Sequence, residues 1–280
     1  MKYVTQAFLL IVISCVLGVA APARAGEHVY TLAVVPQYAS TQAFREWKPL
    51  LSRLEQLTGY RFKLLAYDDF SLFEKDFGEG IPDLIYLNPY HLIVAKQQQN
   101  YLPLVRDNAP LSGILVALKS GKIKTLEDLN GKTIAFPSPN SLGASLYMRA
   151  LLSEKMHIKF TPVYVGSHQN VYRQVLLGDA AAGGGVQKTF KKEPESLQTE
   201  LKVLFTAPDI ASHPLAVHPR VTAEARKKIV AAIFAIRDDP EANKLLAAVQ
   251  LPQPVEADFD RDYAELAKFR LDRYYIKQAK

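Results

Sequence analysis

Cysteine is almost absent from this sequence, and its absence excludes several kinds of chemistry. Cys15 is the single cysteine among 280 residues, and it lies in an apolar N-terminal segment that we expect to be removed. The mature chain would then form no disulfide and contain no thiol nucleophile. The sequence has no Gly-x-Ser-x-Gly motif, and its six histidines do not have metal-ligand spacing. We therefore expect no metal, no cofactor and no catalytic activity.

The first 25 residues have the pattern of a cleaved signal peptide. Lys2 precedes an apolar run at 8–20, and the small residues Ala23 and Ala25 stand just before Gly26. The run is shorter than the roughly 20 apolar residues that a membrane-spanning helix needs. We expect cleavage after residue 25, which would leave the mature protein in the periplasm.

A lipid anchor is the alternative to a free periplasmic protein. Residues 12–15 loosely resemble a lipoprotein box, which would leave Cys15 lipidated at the start of the mature chain. The apolar run continues beyond Cys15 to the better cleavage site, so we prefer the free form. An uncleaved anchor is disfavoured because the run is short and ends at Pro22.

The chain has little excess charge of either sign. Lys2 and Arg24 belong to the predicted signal peptide, so 32 of the 34 basic residues remain against 28 acidic ones, a net charge of +4. This excess is spread along the chain, which argues against nucleic acid as a partner. It mildly favours small anionic solutes, and we expect the protein to be a monomer.

Strand and helix patterns alternate in two successive sets. In the first set, the β-branched segment 29–35 is followed by a helical pattern at 41–58, with apolar residues at spacings of three and four. The second set has strands at 132–136 and 161–165, with a helix at 142–154 between them. This alternation predicts an α/β fold with mixed, mostly parallel sheets and helices on both faces.

The two sets predict two lobes joined by two crossovers. The chain would cross between the lobes at the polar, proline-containing stretches 107–112 and 206–213. The first lobe would then be discontinuous, 27–108 plus 212–280, and the second lobe would span 110–207. A charged helix is predicted at 190–201 in the second set, and towards the C-terminal end helices are predicted after the N-cap Thr222 and at 240–249 and 260–269.

The segment after the strand at 132–136 is a candidate anion site. Asn140, Ser141, Leu142 and Gly143 lie at the predicted start of a helix, where backbone N–H groups have no helical partner. These N–H groups and the positive end of the helix dipole favour a bound oxyanion. The alternative is an ordinary turn in which Asn140 or Ser141 caps the helix.

Other candidates follow strand ends in the same way. His168 lies between a strand and a helix, so it could share a cleft with Ser141, although a lone histidine is also often a cap or a packed side chain. Tyr38 follows the first strand, and Tyr90 follows an Asn-Pro turn. The run 183–188 lacks the spacer of a phosphate loop, so we interpret it as a flexible turn after a strand at 180–182.

Three segments carry a resemblance to a known family. They are Trp47 to Gly59, Pro82 to Tyr90 and Leu126 to Phe136. Together they resemble the periplasmic substrate-binding proteins of phosphonate and phosphite transporters, and the resemblance covers nearly all of the mature chain. It implies a two-lobed periplasmic binding protein of type II that holds a small oxyanion between its lobes.

The resemblance also implies roles for individual residues. The family has a Ser-Thr-Ser-Gly run that grips the oxyanion, and the matching positions here are Ser141 to Ala144, which keep one hydroxyl and the backbone donors. The family's ligand histidine matches His168. Carboxylates that surround the amine of aminophosphonates are replaced here by the stretch 184–187 and by His213. This departure argues against 2-aminoethylphosphonate and leaves the ligand open.

The sequence thus predicts a solute-binding protein rather than an enzyme. Asn140, Ser141, Leu142, Gly143 and His168 would hold the oxyanion in the second lobe. His213 would lie at the returning crossover, and Tyr38 or Tyr90 would close from the first lobe. The partner would be an ABC permease, or a sensor-kinase ectodomain if the protein reports its solute. A carrier of sulfonates or other organic anions, and less readily a periplasmic phosphoester hydrolase, are the alternatives.

Overall fold

The structure is a computed structural model in which residues 29–269 and 271–276 are described. The predicted signal peptide, the cleavage site before Gly26 and the lipoprotein box at Cys15 lie outside the described residues. Within the described ranges, none of the helices combines the length and the apolar character needed to span a bilayer.

The strands form two separate mixed sheets. In chain order they are β1 Val29–Val34, β2 Arg61–Ala66, β3 Leu84–Tyr86, β4 Leu102–Asp107, β5 Gly113–Leu118, β6 Lys132–Phe136, β7 Phe160–Tyr164, β8 Ala182–Val186, β9 Leu201–Thr206, β10 Pro214–Val217 and β11 Pro254–Glu256. The six-stranded sheet has the order β11-β4-β10-β3-β1-β2, and we call it and its helices the first lobe. The five-stranded sheet has the order β7-β6-β8-β5-β9, and it defines the second lobe.

This arrangement confirms the predicted two-lobed α/β class with mixed sheets. Four of the strand pairs are parallel, β1 with β2 and β3, and β6 with β7 and β8. The five antiparallel pairs all involve β5, β10 or β11. Strands β5 and β10 directly follow the two crossovers, so each runs against its neighbours. We propose that the lobes divide at the limits predicted from the sequence, 27–108 plus 212–280 and 110–207.

The two crossovers run side by side. Leu111 and Ile210 form an isolated antiparallel bridge, in which Leu111 N donates to the Ile210 carbonyl at 2.8 Å and Ile210 N donates back at 3.2 Å. The two connections between the lobes are therefore hydrogen-bonded to each other.

Helices cover both sheets. The longer ones are Ser40–Thr58, Phe70–Gly78, Pro89–Gln99, His168–Leu177 and Ala223–Asp238. The helical segment that begins at Leu142 has three parts, a π-helix Leu142–Leu146, an α-helix Tyr147–Ala150 and a second π-helix Leu151–Lys155. The shorter elements are Glu127–Leu129, Gln187–Phe190, Glu195–Glu200, Asn243–Ala248, Phe259–Asp262, Ala264–Phe269 and Leu271–Arg273.

The first helix shows how sequence pattern places an element. Its buried face contains Trp47, Leu50, Leu51 and Leu54, which pack in the core of the first lobe. The helix runs through Pro49 and ends at Gly59, whose φ of 69° is a left-handed conformation that costs glycine little. The predicted helix at 41–58 is thus confirmed to within one residue.

The glycine run at 183–185 is not a turn, and that prediction is wrong. These residues are the buried centre of β8. A Cβ at Gly184 would overlap the carbonyl oxygen of Ala144 and the ring of Phe136, and a Cβ at Gly185 would overlap the Tyr172 hydroxyl. The three central residues of the strand are glycines because helices approach the backbone closely on both faces. The predicted strand at 180–182 accordingly lies at 182–186.

Other differences lie at the ends of elements. The helix predicted at 190–201 is two short helices separated by a turn, and the one at 260–269 is an α-helical turn followed by a 3₁₀ segment. Strand β11 was missed because it has three residues and begins at Pro254, which offers no pattern of alternation. These differences leave the two sheets and the crossovers unchanged.

Candidate functional site

Two helix starts meet at one edge of the second sheet. Strands β6 and β7 are adjacent and parallel, so the loops that follow Phe136 and Tyr164 leave the same edge. The first loop leads to Ser141 and the π-helix that begins at Leu142. The second leads to Ser167, whose hydroxyl accepts from Asn170 N at 3.2 Å and caps the helix that His168 begins. The fold therefore brings the two sequence-predicted segments together.

The first helix start offers free backbone donors. We call residues 138–144 the oxyanion loop. The N–H groups of Leu142, Gly143 and Ala144 donate to no acceptor among the described residues, whereas Ser145 N and Leu146 N both donate to the Ser141 carbonyl, at 2.8 and 3.0 Å. All three residues are buried. Buried N–H groups at the positive end of a helix are the donor set that an oxyanion requires.

Asn140 is occupied in holding the oxyanion loop. Its Nδ2 donates to both carboxylate oxygens of Glu74, at 2.8 and 3.0 Å, and to the Ile276 carbonyl at 2.9 Å. Its Oδ1 accepts from Ile276 N at 3.0 Å, and its carbonyl accepts from Asn88 Nδ2 at 3.0 Å. The polar atoms of the Asn140 side chain are thus used within the protein. A ligand at this loop would meet backbone N–H groups rather than this amide.

The partners of Asn140 form a buried network in the first lobe. Asn88 Oδ1 accepts from His91 N at 2.8 Å, which places the Asn88 NH₂ group 3.0 Å from His91 Nδ1. Nδ1 of His91 is therefore an acceptor, and the other ring nitrogen, Nε2, donates its hydrogen to Glu74 at 2.9 Å. Glu74 thus accepts from donors of both lobes, His91 of the first and Asn140 of the second.

The second helix start carries a buried histidine with one unpaired nitrogen. His168 is 1% exposed, and its Nε2 has no hydrogen-bond partner within the described ranges. Its Nδ1 lies 3.4 Å from Thr189 Oγ1. Burial lowers the pKa of His168 to about 4, so the ring is neutral at neutral pH. An unpaired buried ring nitrogen is costly to keep unless a ligand satisfies it.

Neutral polar side chains face this region from the first lobe. Gln37 Nε2 lies 3.1 Å from His213 Nε2, and Gln250 Nε2 donates to Gln37 Oε1 at 2.7 Å. The Gln250 amide also lies 3.4 Å from the Tyr38 hydroxyl. Burial is the main cause that lowers the pKa of His213 to about 3, and the Lys188 ammonium group adds to it. His213 is therefore a neutral ring, and it stacks on Tyr86 with centroids 5.7 Å apart.

Lysines of the second lobe reach across to the first. Lys188 pairs with the buried carboxylate of Asp107 at the first crossover. Lys192 Nζ donates to the Ala248 carbonyl at 3.1 Å and lies 5.3 Å from the centroid of the Tyr38 ring. The lobes are thus in contact around Tyr38. Burial and the Glu46 carboxylate raise the pKa of Tyr38, so its hydroxyl keeps its proton and can donate.

Tyr90 occupies a different position from Tyr38. Its ring packs against Tyr275 with centroids 5.5 Å apart, and from the first lobe it joins an apolar cluster formed mainly by residues of the second lobe. We call residues 271–276 the C-terminal strap. Leu271 packs in the same cluster, and Arg149 donates to the Tyr274 carbonyl at 2.8 Å and to the Pro139 carbonyl at 2.7 Å. Arg149 therefore links the C-terminal strap to the oxyanion loop.

The described residues contain no cluster of side chains suited to bind a metal ion. Among residues 29–269 and 271–276, no group of three or more His, Cys, Asp or Glu side chains is placed to hold an ion. The polar groups that meet at the interlobe region are backbone N–H groups, hydroxyls, amides and imidazoles. This set suits an oxyanion.

Comparison with known proteins identifies the family. Residues 32–263 match the family model of the phosphonate periplasmic substrate-binding proteins of ABC transporters. The chain belongs to this family. The phosphate-import protein PhnD of Mycolicibacterium smegmatis is 24% identical over 221 residues, which cover 71% of this chain and 69% of that protein.

Two solved structures share the fold of this phosphonate-type binding protein. One is a binding protein component of an ABC phosphonate transporter from Pseudomonas aeruginosa, with a TM-score of 0.79, 19% identity and 88% coverage of each chain. The other is PhnD1 from Prochlorococcus marinus in complex with methylphosphonate, with a TM-score of 0.79 and 14% identity, covering 89% of this chain and 99% of that one. The family, the fold class and the role as periplasmic solute-binding component are thereby confirmed.

Several residues around the site of this phosphonate-type binding protein were not predicted. Thr189, Gln250 and Glu74 are each distant in sequence from the residues that they contact, so no local pattern marks them. Lys188 lies two residues after the end of the glycine strand, and its position close to a buried run was a signal that could have been used. The predicted ligand residues themselves stay predictions, since no bound solute defines them.

Proposed function

We propose that this protein captures a compact phosphonate, phosphite or phosphate-like oxyanion between its lobes and delivers it to an ABC permease. The observation that carries the proposal is the unpaired, buried Nε2 of His168 at the same sheet edge as the free N–H groups of Leu142, Gly143 and Ala144. In this arrangement the backbone groups neutralise the oxyanion through partial charges, and His168 adds a directional contact.

The first lobe supports a ligand without an ammonium group. Its groups near the site are the amides of Gln37 and Gln250, the Tyr38 hydroxyl and the neutral ring of His213. The nearby carboxylate of Asp107 is already paired with Lys188. A cationic substituent would be desolvated here without a free anionic partner, which is costly. The complex of PhnD1 with methylphosphonate supports a small uncharged substituent.

The protein's oligomeric state and its partner are also part of this proposal. We propose that the protein acts without catalysis, as a monomer released by cleavage after residue 25. Delivery to a permease is preferred to signalling through a sensor-kinase ectodomain because the matched family is described by transport. Sulfonates remain a second candidate ligand, since their oxygens could use the same N–H groups. A phosphoester hydrolase would need an activated nucleophile or a metal.

A thermal-shift screen tests the ligand class. Methylphosphonate, phosphite or phosphate at 100 times its dissociation constant should stabilise the protein by about 2.7 kcal/mol. 2-Aminoethylphosphonate should give a smaller shift, because its ammonium group lacks a partner. Calorimetry on the best ligand then gives its affinity. A largest shift with 2-aminoethylphosphonate would contradict the proposal, and so would metal-dependent turnover of phosphoesters by the purified protein.

The Ser141 hydroxyl should contribute modestly to that affinity. We expect Ser141→Ala to weaken methylphosphonate binding by about 1–2 kcal/mol, because one hydroxyl donor is lost while the backbone donors stay. Calorimetry measures the change, and Ser120→Ala, at an exposed turn of the second lobe, is the matched control. An affinity of Ser141→Ala equal to that of the control would place the ligand away from this helix start.

A further inference from the structure

The two ring nitrogens of His168 lie in different surroundings. Nδ1 is 3.4 Å from the Thr189 hydroxyl oxygen, whereas Nε2 is buried without a hydrogen-bond partner in the part of the chain that is described. A neutral imidazole has one N–H donor and one lone-pair acceptor. Which nitrogen carries the hydrogen therefore decides whether the ring donates to a ligand or accepts from it.

The Thr189 hydroxyl decides this question. It has one hydrogen and two lone pairs, and it donates the hydrogen to the Val186 carbonyl at 2.9 Å. Its oxygen also lies 3.1 Å from the Tyr172 hydroxyl and 3.4 Å from His168 Nδ1. Because the single hydrogen is already used, both neighbours must donate to this oxygen. The hydrogen of His168 is therefore on Nδ1, and its Nε2 presents a lone pair.

We propose that Thr189 holds His168 in the Nδ1–H form, so that the site binds its phosphonate together with one proton. The proton lies between Nε2 and a ligand oxygen. In one route the proton arrives on a phosphonate monoanion, whose P–OH group donates to Nε2. In the other route the proton comes from solvent and protonates Nε2, which then donates to a phosphonate dianion. Both routes give a complex of the same composition. The inference rests on the proposed function, and it makes Thr189 a positioning residue that acts through His168.

The titratable groups around the ring are compatible with this proton. Tyr172 lies one turn along the same helix, and burial raises its pKa, so it stays a neutral donor to Thr189. His213 faces from the first lobe and is neutral because burial lowers its pKa to about 3. The Glu193 carboxylate adds to the rise in the pKa of Tyr172, and burial raises the pKa of the Glu193 carboxyl itself. Lys188, next to Thr189, is paired with Asp107.

The sign of the pH dependence follows from the unliganded ring. Its pKa is about 4, so at neutral pH it holds no extra proton. A bound oxyanion raises the pKa of His168, so the complex holds one proton more than the free ring and the free dianion. Affinity for the dianion is therefore highest below the pKa of the free ring, falls as the pH rises from about 4 towards the pKa of the complex, and is independent of pH above that.

Calorimetry with methylphosphonate tests the proposal. Titrations at several pH values, each in two buffers of different ionisation enthalpy, give the number of protons taken up on binding. Above the second pKa of methylphosphonate, we expect uptake of about one proton per ligand and an affinity that falls about tenfold per pH unit. Methanesulfonate brings no proton of its own, so its binding should take one proton from solvent at neutral pH.

Two variants of Thr189 separate positioning from structure. Thr189→Val keeps the shape but removes the hydroxyl, which frees the ring to donate from Nε2, so proton uptake should fall towards zero and the pH profile should flatten. Thr189→Ser keeps the hydroxyl and should restore both. A purely structural role predicts a lower melting temperature for Thr189→Val, with an affinity loss that is equal at every pH.

Several outcomes would overturn the inference. One is wild-type binding of methylphosphonate without proton uptake above its second pKa. Another is an unchanged pH profile in Thr189→Val. A third is an Nε2–H ring in ¹⁵N NMR of the ligand-free protein, with His168→Gln used to assign the signal. If no oxyanion binds but the ring is Nδ1–H, the proposed function and the proton linkage both fail, while the control of the tautomer by Thr189 stands.

Discussion

Gly184→Ala is expected to destabilise the protein by about 3 kcal/mol, although it adds a single methyl group. The new Cβ would overlap the Ala144 carbonyl oxygen and the Phe136 ring. A backbone carbonyl cannot rotate away as a side chain can, so either the strand or the helical segment that begins at Leu142 must move. Because that segment starts at the oxyanion loop, its displacement should also weaken oxyanion binding.

Urea denaturation measures this effect, and Gly78→Ala is the control. A Cβ at Gly78 would meet the end of the Gln98 side chain at 2.9 Å, and this flexible amide can turn aside. The control should therefore change the free energy of unfolding by less than about 0.5 kcal/mol. If Gly184→Ala unfolds at the urea concentration of the wild type, the close approach of helix and strand described above is incorrect.

The second large effect is expected for Glu74→Leu, at about 4 kcal/mol of stability. The Glu74 carboxylate accepts from His91 Nε2 and from Asn140 Nδ2, and all three residues are buried. A leucine of similar volume leaves His91 Nε2 without an acceptor and leaves Asn140 Nδ2 with the Ile276 carbonyl alone, so the loss is that of hydrogen bonds rather than of packing. The freed Asn140 should loosen the oxyanion loop, and affinity for methylphosphonate should fall as well.

Glu154→Leu is the matched control for this change. Glu154 accepts from the Tyr274 hydroxyl at 2.9 Å and pairs with Arg273, so it also contacts the C-terminal strap, but its side chain is 52% exposed. Exposed pairs of this kind contribute about 0–1 kcal/mol. Urea denaturation of both variants gives the comparison. Equal losses would show that the buried network around Glu74 has no special weight.

Local pattern was sufficient to predict most of the fold. The helix Ser40–Thr58 has a buried face at regular spacing and a glycine stop, and strands β1 and β6 have continuous buried runs. The glycine strand β8 could not be predicted in this way. Glycine is disfavoured in strands, and the reason for its presence is the close approach of Ala144 and Tyr172, which are far away in sequence.

The site divides in the same way between local and distant contacts. Ser141 and His168 could be located from the sequence because both follow strand ends that meet at one sheet edge. The role of Asn140 could not, since its partners Glu74 and Ile276 lie 66 and 136 positions away. The same holds for Thr189, which is 21 positions from His168. Tertiary contacts over such distances leave no periodic trace in the chain.

The division of strands between the two sheets has a consequence for the order of folding. The five strands of the second sheet come from one continuous stretch, 113–206, whereas the first sheet needs β10 and β11 from 214–256 to complete strands that began at Val29. As a chain emerges N-terminus first, the second lobe can assemble while the first four strands of the first sheet still wait for the other two. The earliest-made lobe is thus the last to finish, and its exposed strand edges are the surface that a chaperone would need to shield.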